Sequence, residues 1–434
     1  MLKQILDFHI HSKYSRACSP DLELPKIAAA CARKGVDIVA TGDFTHPAWL
    51  GHIKENLSEI GESGLYELKN PTPCPSPNRG GIQGGVKFIL STEISCIYKH
   101  QDKTRRLHLV ILAPNIAAVE KLNAQFEKKS VNLKSDGRPI MGLSAKAVLQ
   151  MLLEIDERFL LIPAHAWTPW FAVFGSKSGY DSLTECFEEL TPHIRAIETG
   201  LSSDPAMNRR LSKLDNITLV SNSDAHSPDK IGREANAFAF AEENEITYGE
   251  ITRIIKEGDK RKFLHTIEFF PEEGKYHFDG HAACEVCLAP KETKKLKNIC
   301  PKCKKNLTVG VLHRVDDLAD REEENIPAEK FIPHKYVVPL REIIAAVFGV
   351  GTAGKKVALE YENLIKNIGS EFHILLDADL EEIKKYASDK NIALAIANAR
   401  VGRVKVKPGY DGVFGTVNAL GDREKMGGGQ SRLF

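Results

Sequence analysis

The chain has 434 residues, enough for about three domains of ordinary size. Apolar residues make up 42% and charged residues 27%, which excludes a disordered or fibrous protein. Because 59 Lys and Arg face 58 Asp and Glu, the net charge is +1, and any nucleic-acid binding requires a local basic patch. No apolar run reaches the roughly 20 residues of a membrane span, and no signal segment precedes the first motif, so we expect a cytoplasmic protein with no membrane partner.

Residues 1–262 alternate short apolar runs with helical patterns. The strand-like runs are ILDFHI, VDIVATGDF, VKFILSTEI, LHLVILAP, FLLIPAHAW, IRAIETG and ITLVSNSDAH. Between them lie stretches such as LPKIAAACARKG, in which apolar residues recur at helical spacing. This rhythm predicts an α/β fold, either a parallel barrel or a doubly wound sheet.

Side chains that can bind metals lie in or just beyond these runs. They are His9, His11, Asp43, Glu93, His108, His165, Glu198, Asp224 and His226. The C-terminal ends of barrel strands form one rim, so distant segments aim these groups at a common site. Imidazole mixed with carboxylate suits zinc, manganese or iron, and two ions about 4 Å apart can hold the attacking and leaving oxygens of a phosphoryl displacement. We therefore predict metal-assisted phosphoester hydrolysis.

The order of these motifs resembles the PHP (polymerase and histidinol phosphatase) phosphoesterases. That resemblance implies a distorted seven-stranded (β/α) barrel with two or three divalent cations, either zinc, manganese or magnesium. It implies that His9, His11, Glu93 and Asp224 bind one ion, that Glu93, His108 and His165 bind a second, and that Asp43 and His226 are candidates for a further position. These eight residues are the predicted catalytic set.

Two departures from the PHP pattern leave the third cation open. Arg16 stands where family members often have Asp, and Gly42-Asp43-Phe44 replaces T-D-H. His46 is either a replacement ligand or a loop histidine. Glu198 is either a ligand or a buried hydrogen-bonding partner of a neighbour.

Two C-x-x-C pairs predict a zinc-binding module at 263–315. Cys284, Cys287, Cys300 and Cys303 form them, with twelve residues between the pairs, close to the spacing of a zinc ribbon in which four thiolates make a closed structural site. His281 is a spare ligand candidate. Lysines crowd the module, and Lys294, Lys295, Lys297 and Lys304 are candidate contacts to a nucleic-acid backbone. The alternative for these lysines is a solvated face.

An acidic run at 316–324 predicts a solvated linker to a last domain at 325–420. There GVGTAGKK nearly matches a P-loop, and FHILLD imitates the strand that would accompany it. No strand precedes the glycines, however, and helical spacing on both sides predicts helix, turn, helix. The segment resembles a helix-hairpin-helix motif, so Gly349, Gly351, Lys355 and Lys356 are candidate DNA-binding residues. An ordinary helical hairpin is the alternative.

Barrel, zinc module and helical hairpin, in this order, resemble the endonuclease Q family of DNA repair enzymes. The resemblance implies hydrolysis of the phosphodiester 5′ of uracil, hypoxanthine, xanthine or an abasic site in DNA. Trp167 and Trp170 follow His165 and are candidates to wedge into an opened duplex, unless they pack in the barrel. The rival interpretations are a small-molecule phosphatase like histidinol phosphatase and a metal-bound DNA scaffold without catalysis.

The Gly-rich tail, residues 421–434, is predicted to be flexible. Its Gln430, Leu433 and Phe434 faintly resemble the start of a peptide that docks on the sliding clamp PCNA, which makes PCNA a candidate partner.

Overall fold

The computed structural model describes residues 1–70 and 85–420. The first part of the chain, up to residue 268, contains thirteen strands and seven α-helices within those limits. The strands are β1 (Leu2–Asp7), β2 (Ile38–Ala40), β3 (Leu57–Glu59), β4 (Leu65–Leu68), β5 (Lys87–Ile89), β6 (Ser91–His100), β7 (Lys103–Leu112), β8 (Ile140–Met141), β9 (Leu160–Pro163), β10 (Ala196–Glu198), β11 (Thr218–Val220), β12 (Ala235–Phe240) and β13 (Phe263–Glu268). The helices are α1 (Leu24–Lys34), α2 (Pro47–Asn56), α3 (Ile116–Lys128), α4 (Ala145–Ile155), α5 (Leu183–Phe187), α6 (Pro205–Arg209) and α7 (Tyr248–Glu257).

Backbone hydrogen bonds link the strands that carry the predicted site into a continuous circuit. β1 pairs in parallel with β2, and β2 with β5. β6 follows β5 directly and leads through β7 to β9. The Ala166 N–H donates to the Glu198 carbonyl, β10 runs parallel to β11, and a bridge between Ile10 and Ala225 returns the circuit to the end of β1. The polar ends of these strands therefore converge.

The middle of the circuit departs from the parallel arrangement that the alternating pattern predicts. β6 and β7 form an antiparallel hairpin, and β7 pairs antiparallel with β9. Gln101 and Asp102 close the hairpin with positive φ angles of 51° and 59°. A two-residue connection of this kind leaves no room for the crossover helix that parallel neighbours need.

The main sheet extends beyond the predicted boundary at residue 262. β13 pairs antiparallel with β12, and β16 (His334–Tyr336) adds in parallel to β13. Phe238 and Phe263 pack in the core beneath these strands, with ring centroids 4.5 Å apart. The first domain is thus completed by strands from later in the chain.

The cysteine module and the last domain contain the remaining helices and strands. They are β14 (Asp279–His281), β15 (Val286–Leu288), α8 (Pro290–Lys295), α9 (Val311–Leu318), α10 (Leu340–Phe348), α11 (Lys355–Asn367), α12 (Leu380–Tyr386), α13 (Asn391–Arg400), β17 (Lys405–Lys407) and β18 (Thr416–Asn418). The chain beside β17 and β18 returns to the module, because the Asp411 carboxylate accepts hydrogen bonds from Ala282 and Thr308.

The acidic run at 316–324 is not the solvated linker that its charge predicts. Asp316 lies in α9, and its carboxylate binds both Arg210 and Lys294. Arg321, within the run, forms an ion pair with Asp215. These contacts fix the connection against the first domain.

Residues 340–367 form two helices joined by a glycine turn, as predicted. FHILLD, in contrast, is a turn of π-helix over His373–Asp377 and not a strand, so the apparent P-loop has no sheet to serve. Among the described residues, no helix combines the length and the apolarity needed to cross a bilayer.

Candidate metal centre

Two groups of metal-binding side chains lie side by side at the converging strand ends. His9, His11, Glu93 and Asp224 each place one ligand atom within 4.8 Å of the others. His11 Nε2 lies 3.0 Å from Asp224 Oδ1 and 3.5 Å from Glu93 Oε2, and His9 Nε2 lies 3.6 Å from both carboxylates. This is the ligand set implied by the PHP resemblance for a first ion.

Glu93 also belongs to the second group, with His108 and His165. Its Oε1 lies 2.9 Å from His108 Nδ1 and 3.1 Å from His165 Nε2. A carboxylate that faces both groups can bridge two cations, the arrangement used in two-metal hydrolysis. The structure thus brings together six of the eight predicted residues, and Glu93 belongs to both groups.

The histidines of the first group are oriented for metal binding. Both carboxylate oxygens of Glu198 lie 3.1 Å from His9 Nδ1, and Asp43 Oδ1 lies 3.2 Å from His11 Nδ1. Each Nδ1 therefore donates to a carboxylate and leaves Nε2 as the lone-pair donor. His9 Nε2 is buried and has no hydrogen-bond partner among the described residues, which a bound cation would supply.

The electrostatics of the site also fit a cation. Burial opposes charge on every group here. For Glu93 the nearby imidazoles and the Arg138 guanidinium outweigh burial, and for Asp224 the imidazoles of His9 and His11 do, so the pKa values of both carboxyl groups are lowered and both stay ionised. Neighbouring carboxylates likewise outweigh burial to raise the pKa of His9, and that of His11 to about 9. For His108 burial dominates and lowers the pKa to about 4. Cation binding would displace the protons from His9 and His11.

Four other candidate residues belong to neither group of ligands among the described residues: Glu198, His46, Asp43 and His226. Glu198 is a buried hydrogen-bonding partner, because it accepts from His9 and from the His165 backbone N–H at 2.7 Å. His46 stacks on Tyr14, with ring centroids 4.4 Å apart, and joins neither group of ligands found in the described chain. Neither does Asp43 or His226; the His226 ring packs 4.6 Å from that of His11.

Sequence reasoning missed Arg138, which carries no motif. Its Nη1 donates to Glu93 Oε2 at 3.0 Å, from a loop between α3 and β8. An arginine in a loop is too common in sequences to be singled out, so only the fold reveals this one.

Comparison with solved structures decides the family. The chain superposes on the lesion-specific endonuclease PfuEndoQ from Pyrococcus furiosus with a TM-score of 0.82 and 30% identity, covering 98% of both chains. It matches an endonuclease Q complex with a 27-mer duplex carrying an abasic lesion with a TM-score of 0.81 and 30% identity, covering 98% of this chain and 99% of that one. The chain belongs to the endonuclease Q family.

Sequence relatives of this endonuclease Q family member are consistent with that placement. It is 29% identical to the protein YqxK of Bacillus subtilis over 430 residues, 96% of this chain and 100% of the relative. It is 30% identical to the protein MJ0043 of Methanocaldococcus jannaschii over 279 residues, which is 62% of this chain but 34% of that protein. The chain thus spans about a third of the archaeal relative. A family model described as the MJ0043 C-terminal domain matches residues 339–403.

The cysteine cluster of this endonuclease Q family member differs from the predicted set of four cysteines. The four donors within 4.8 Å of one another are His281, Cys284, Cys300 and Cys303. Cys287 lies in β15 opposite Gly280 and is outside the group. Backbone N–H groups, led by that of Cys303, lower the pKa of Cys300 to about 6, which favours the metal-binding thiolate.

The lysines predicted to contact DNA fall into two classes. Lys294 is neutralised by an ion pair with Asp316 at 2.5 Å and another with Asp317 at 3.0 Å, so the prediction is weakened there. Lys295 and Lys297 are exposed, and Lys304 is exposed with its Nζ hydrogen-bonded to the Pro301 carbonyl.

The two tryptophans have different surroundings. Trp167 is 1% exposed, donates to Asn208 at 2.7 Å and packs on Phe174, which fits the alternative that it packs in the barrel. Trp170 is 39% exposed, with its ring edge-on to Tyr276.

The hairpin of this endonuclease Q family member presents its charge to solvent. Gly349 ends α10 in the left-handed region, and Lys355 and Lys356 open α11 with exposed side chains. Gly351 lies in the turn with open space around it. The tail residues Gln430, Leu433 and Phe434, on which the PCNA prediction depends, lie outside the described residues.

Proposed function

We propose that this chain is a metal-dependent DNA endonuclease that hydrolyses the phosphodiester 5′ of a deaminated base, such as uracil, hypoxanthine or xanthine, or of an abasic site. The observation that carries the proposal is the shared carboxylate of Glu93 between two adjoining groups of ligands, in a member of the endonuclease Q family. We also infer that the strand circuit is a PHP-type barrel and that the His281, Cys284, Cys300 and Cys303 cluster holds one structural zinc ion.

One set of residues is assigned to binding the cations, and a separate set to binding DNA. The first group and the second group hold one divalent cation each, zinc, manganese or magnesium, while Glu198 and Asp43 fix the rings of His9 and His11. Bound cations supply Lewis acidity, which lowers the pKa of an attacking water and offsets charge on the phosphate. Burial keeps competing water from the ligands, since His9, His11 and Glu93 are almost fully enclosed.

DNA contacts are assigned to surfaces outside the metal centre. The turn at Gly349 and Gly351 brings the N-terminus of α11 to solvent, where N–H groups and the two lysines can meet a phosphate. Reading a damaged base requires taking it out of the stack, which costs a few kcal/mol and is cheapest for mispaired bases. The exposed ring of Trp170 follows ligand His165 closely in the chain and is an aromatic side chain available for stacking.

The test compares substrates of two classes. We expect the manganese-loaded protein to cut duplexes with one uracil, hypoxanthine or abasic site, immediately 5′ of the lesion, and to leave an undamaged duplex and p-nitrophenyl phosphate nearly untouched. Glu93→Gln should abolish cleavage because both groups lose a ligand, whereas Glu62→Gln, at an exposed position, should cut normally. Faster hydrolysis of p-nitrophenyl phosphate than of any DNA would instead favour a small-molecule phosphatase. Wild-type protein that binds DNA without cutting it under magnesium, manganese or zinc would favour the scaffold.

A further inference from the structure

Arg138 places a guanidinium group at the edge of the metal centre. One N–H donates to Glu93 Oε2, and the side chain keeps 22% of its surface exposed. The remaining guanidinium N–H groups donate to no acceptor in the described parts of the chain. Because a guanidinium has five N–H donors in a planar fork, Arg138 has donors to spare beside the predicted reaction site.

The loop that carries Arg138 is held in place on both sides. The Arg138 backbone N–H donates to Asp136 Oδ1 at 3.0 Å, and Gly137 N–H donates to the Tyr14 carbonyl at 3.0 Å. On the other side, Ser95 N–H in β6 donates to the Pro139 carbonyl at 3.0 Å. The guanidinium is therefore presented from a fixed backbone, as a preorganised charge must be.

The same loop fills the position that the PHP resemblance implied for a further cation. Asp43 Oδ2 accepts hydrogen bonds from the Ser12 N–H, the Ser12 hydroxyl and the Ser15 hydroxyl at 2.7, 2.6 and 2.8 Å. A Cβ on Gly137 would lie 2.3 Å from that oxygen, so the loop backbone rests directly against it. The Asp43 carboxylate is thus satisfied and covered by protein.

Arg16 links this closure to the departure from the PHP pattern. It stands where PHP phosphoesterases often have a carboxylate, its own side chain is exposed, and its backbone N–H donates to Asp136 at 3.2 Å. The segment that would supply a third cation's ligand instead supports the loop of Arg138.

We propose that Arg138 binds a non-bridging oxygen of the scissile phosphodiester, and takes the place of a third cation in this chain. The proposal rests on the proposed function for the identity of the substrate. The ligand is recognised through its phosphate oxygens. The planar guanidinium can donate two N–H groups to a phosphate while another N–H stays on Glu93. Arginine stays charged at every working pH, so this positive charge does not depend on metal supply.

The first test measures binding without turnover. Metal content by mass spectrometry and inorganic phosphate affinity by calorimetry would be compared for wild type, Arg138→Ala and the matched control Arg16→Ala. We expect all three proteins to hold the same metal, with two ions at the His and carboxylate groups, and Arg138→Ala alone to bind phosphate about 10-fold more weakly. A third ion at those groups in wild type, metal loss in Arg138→Ala, or unchanged phosphate affinity would overturn the proposal.

The second test uses cleavage of a uracil duplex. Removal of one transition-state donor commonly lowers kcat about 10²- to 10³-fold, so Arg138→Ala should fall by that amount with KM changed far less. Guanidinium ion added to the buffer should restore part of the activity of Arg138→Ala and none of that of Glu93→Gln. A kcat of Arg138→Ala equal to that of the wild type would refute the role, and so would a lowered kcat that added guanidinium does not raise. If wild type cuts no DNA but Arg138→Ala still weakens phosphate binding, the proposed substrate fails and the phosphate site stands.

Discussion

At the scale of single residues, the candidate metal centre depends on carboxylates that lie behind the ligand rings and hold them in place. A histidine on a strand can rotate and can present either nitrogen, and an acceptor on one nitrogen commits the other to the ligand role. Glu198 does this for His9 and, through the backbone N–H of His165, also fixes the start of the loop that carries a ligand of the second group. One buried carboxylate thus orients ligands of both groups.

We expect Glu198→Gln to weaken metal binding about 10- to 100-fold. Gln keeps the size but replaces one oxygen by an NH₂, although Glu198 accepts from His9, from His165 N–H and from Asn222 Nδ2. One buried donor must then lose its acceptor. Competition with a chelator of known affinity would measure the change, with circular dichroism to confirm folding and Glu62→Gln as the surface control. Equal manganese affinity in both variants would show that the ring of His9 needs no such support.

The sequence predicts the residues of the site better than their roles. Histidines and carboxylates at strand ends indicate metal ligands, because alternation along a strand fixes which side chains share a face. Whether Asp43 meets a metal or only His11 depends on the loop around Gly137, which is distant in sequence and has no pattern. Spacing likewise favoured Cys287, whereas the strand pairing of the module brings His281 to the other cysteines.

At the scale of elements, local signals predict helices and turns well and strand direction poorly. The glycines between α10 and α11 correctly predict a hairpin, because Gly349 ends α10 with a φ of 67°. Strand direction depends on what joins two strands, and the two residues at Gln101 and Asp102 have no glycine to mark a tight turn. A helical run rich in Ile and Leu, such as 373–377, imitates a strand for the same reason: composition without periodicity is ambiguous.

Two glycine replacements test the backbone argument for the hairpin. A Cβ at Gly349 or at Gly51 would meet nothing within 4 Å, so neither position is crowded. Only Gly349 lies in the left-handed region, whereas Gly51 lies inside α2. We expect Gly349→Ala to cost about 1 kcal/mol and Gly51→Ala to add about 0.5 to 1 kcal/mol of stability. Urea unfolding of both variants would measure the difference, and a shift of the same sign in both would contradict it.

At the scale of the whole molecule, a chain with a net charge of +1 has no long-range pull on DNA and must bind it through particular places. Ion pairs within the protein neutralise some of the basic side chains: Asp316 in α9 neutralises Lys294, and Asp215 neutralises Arg321. Lys355 and Lys356, in contrast, open a helix with exposed side chains, and Lys356 Nζ rests 4.0 Å from the centre of the Phe348 ring. The hairpin is therefore a place where positive charge and free N–H groups coincide.

The salt dependence of DNA affinity distinguishes phosphate contacts made by the hairpin lysines from an effect of the net charge alone. If both hairpin lysines contact phosphates, Lys355→Gln with Lys356→Gln should lower the slope of log affinity against log salt by about 2, since each contact contributes about 0.9. Replacing Lys128 and Lys129 by Gln, at the exposed end of α3, removes the same charge and should leave the slope unchanged. Fluorescence anisotropy with an undamaged duplex would give both slopes. Equal decreases in the two double variants would mean that DNA senses only the net charge, because a distant pair of lysines would then serve as well as the pair that opens α11.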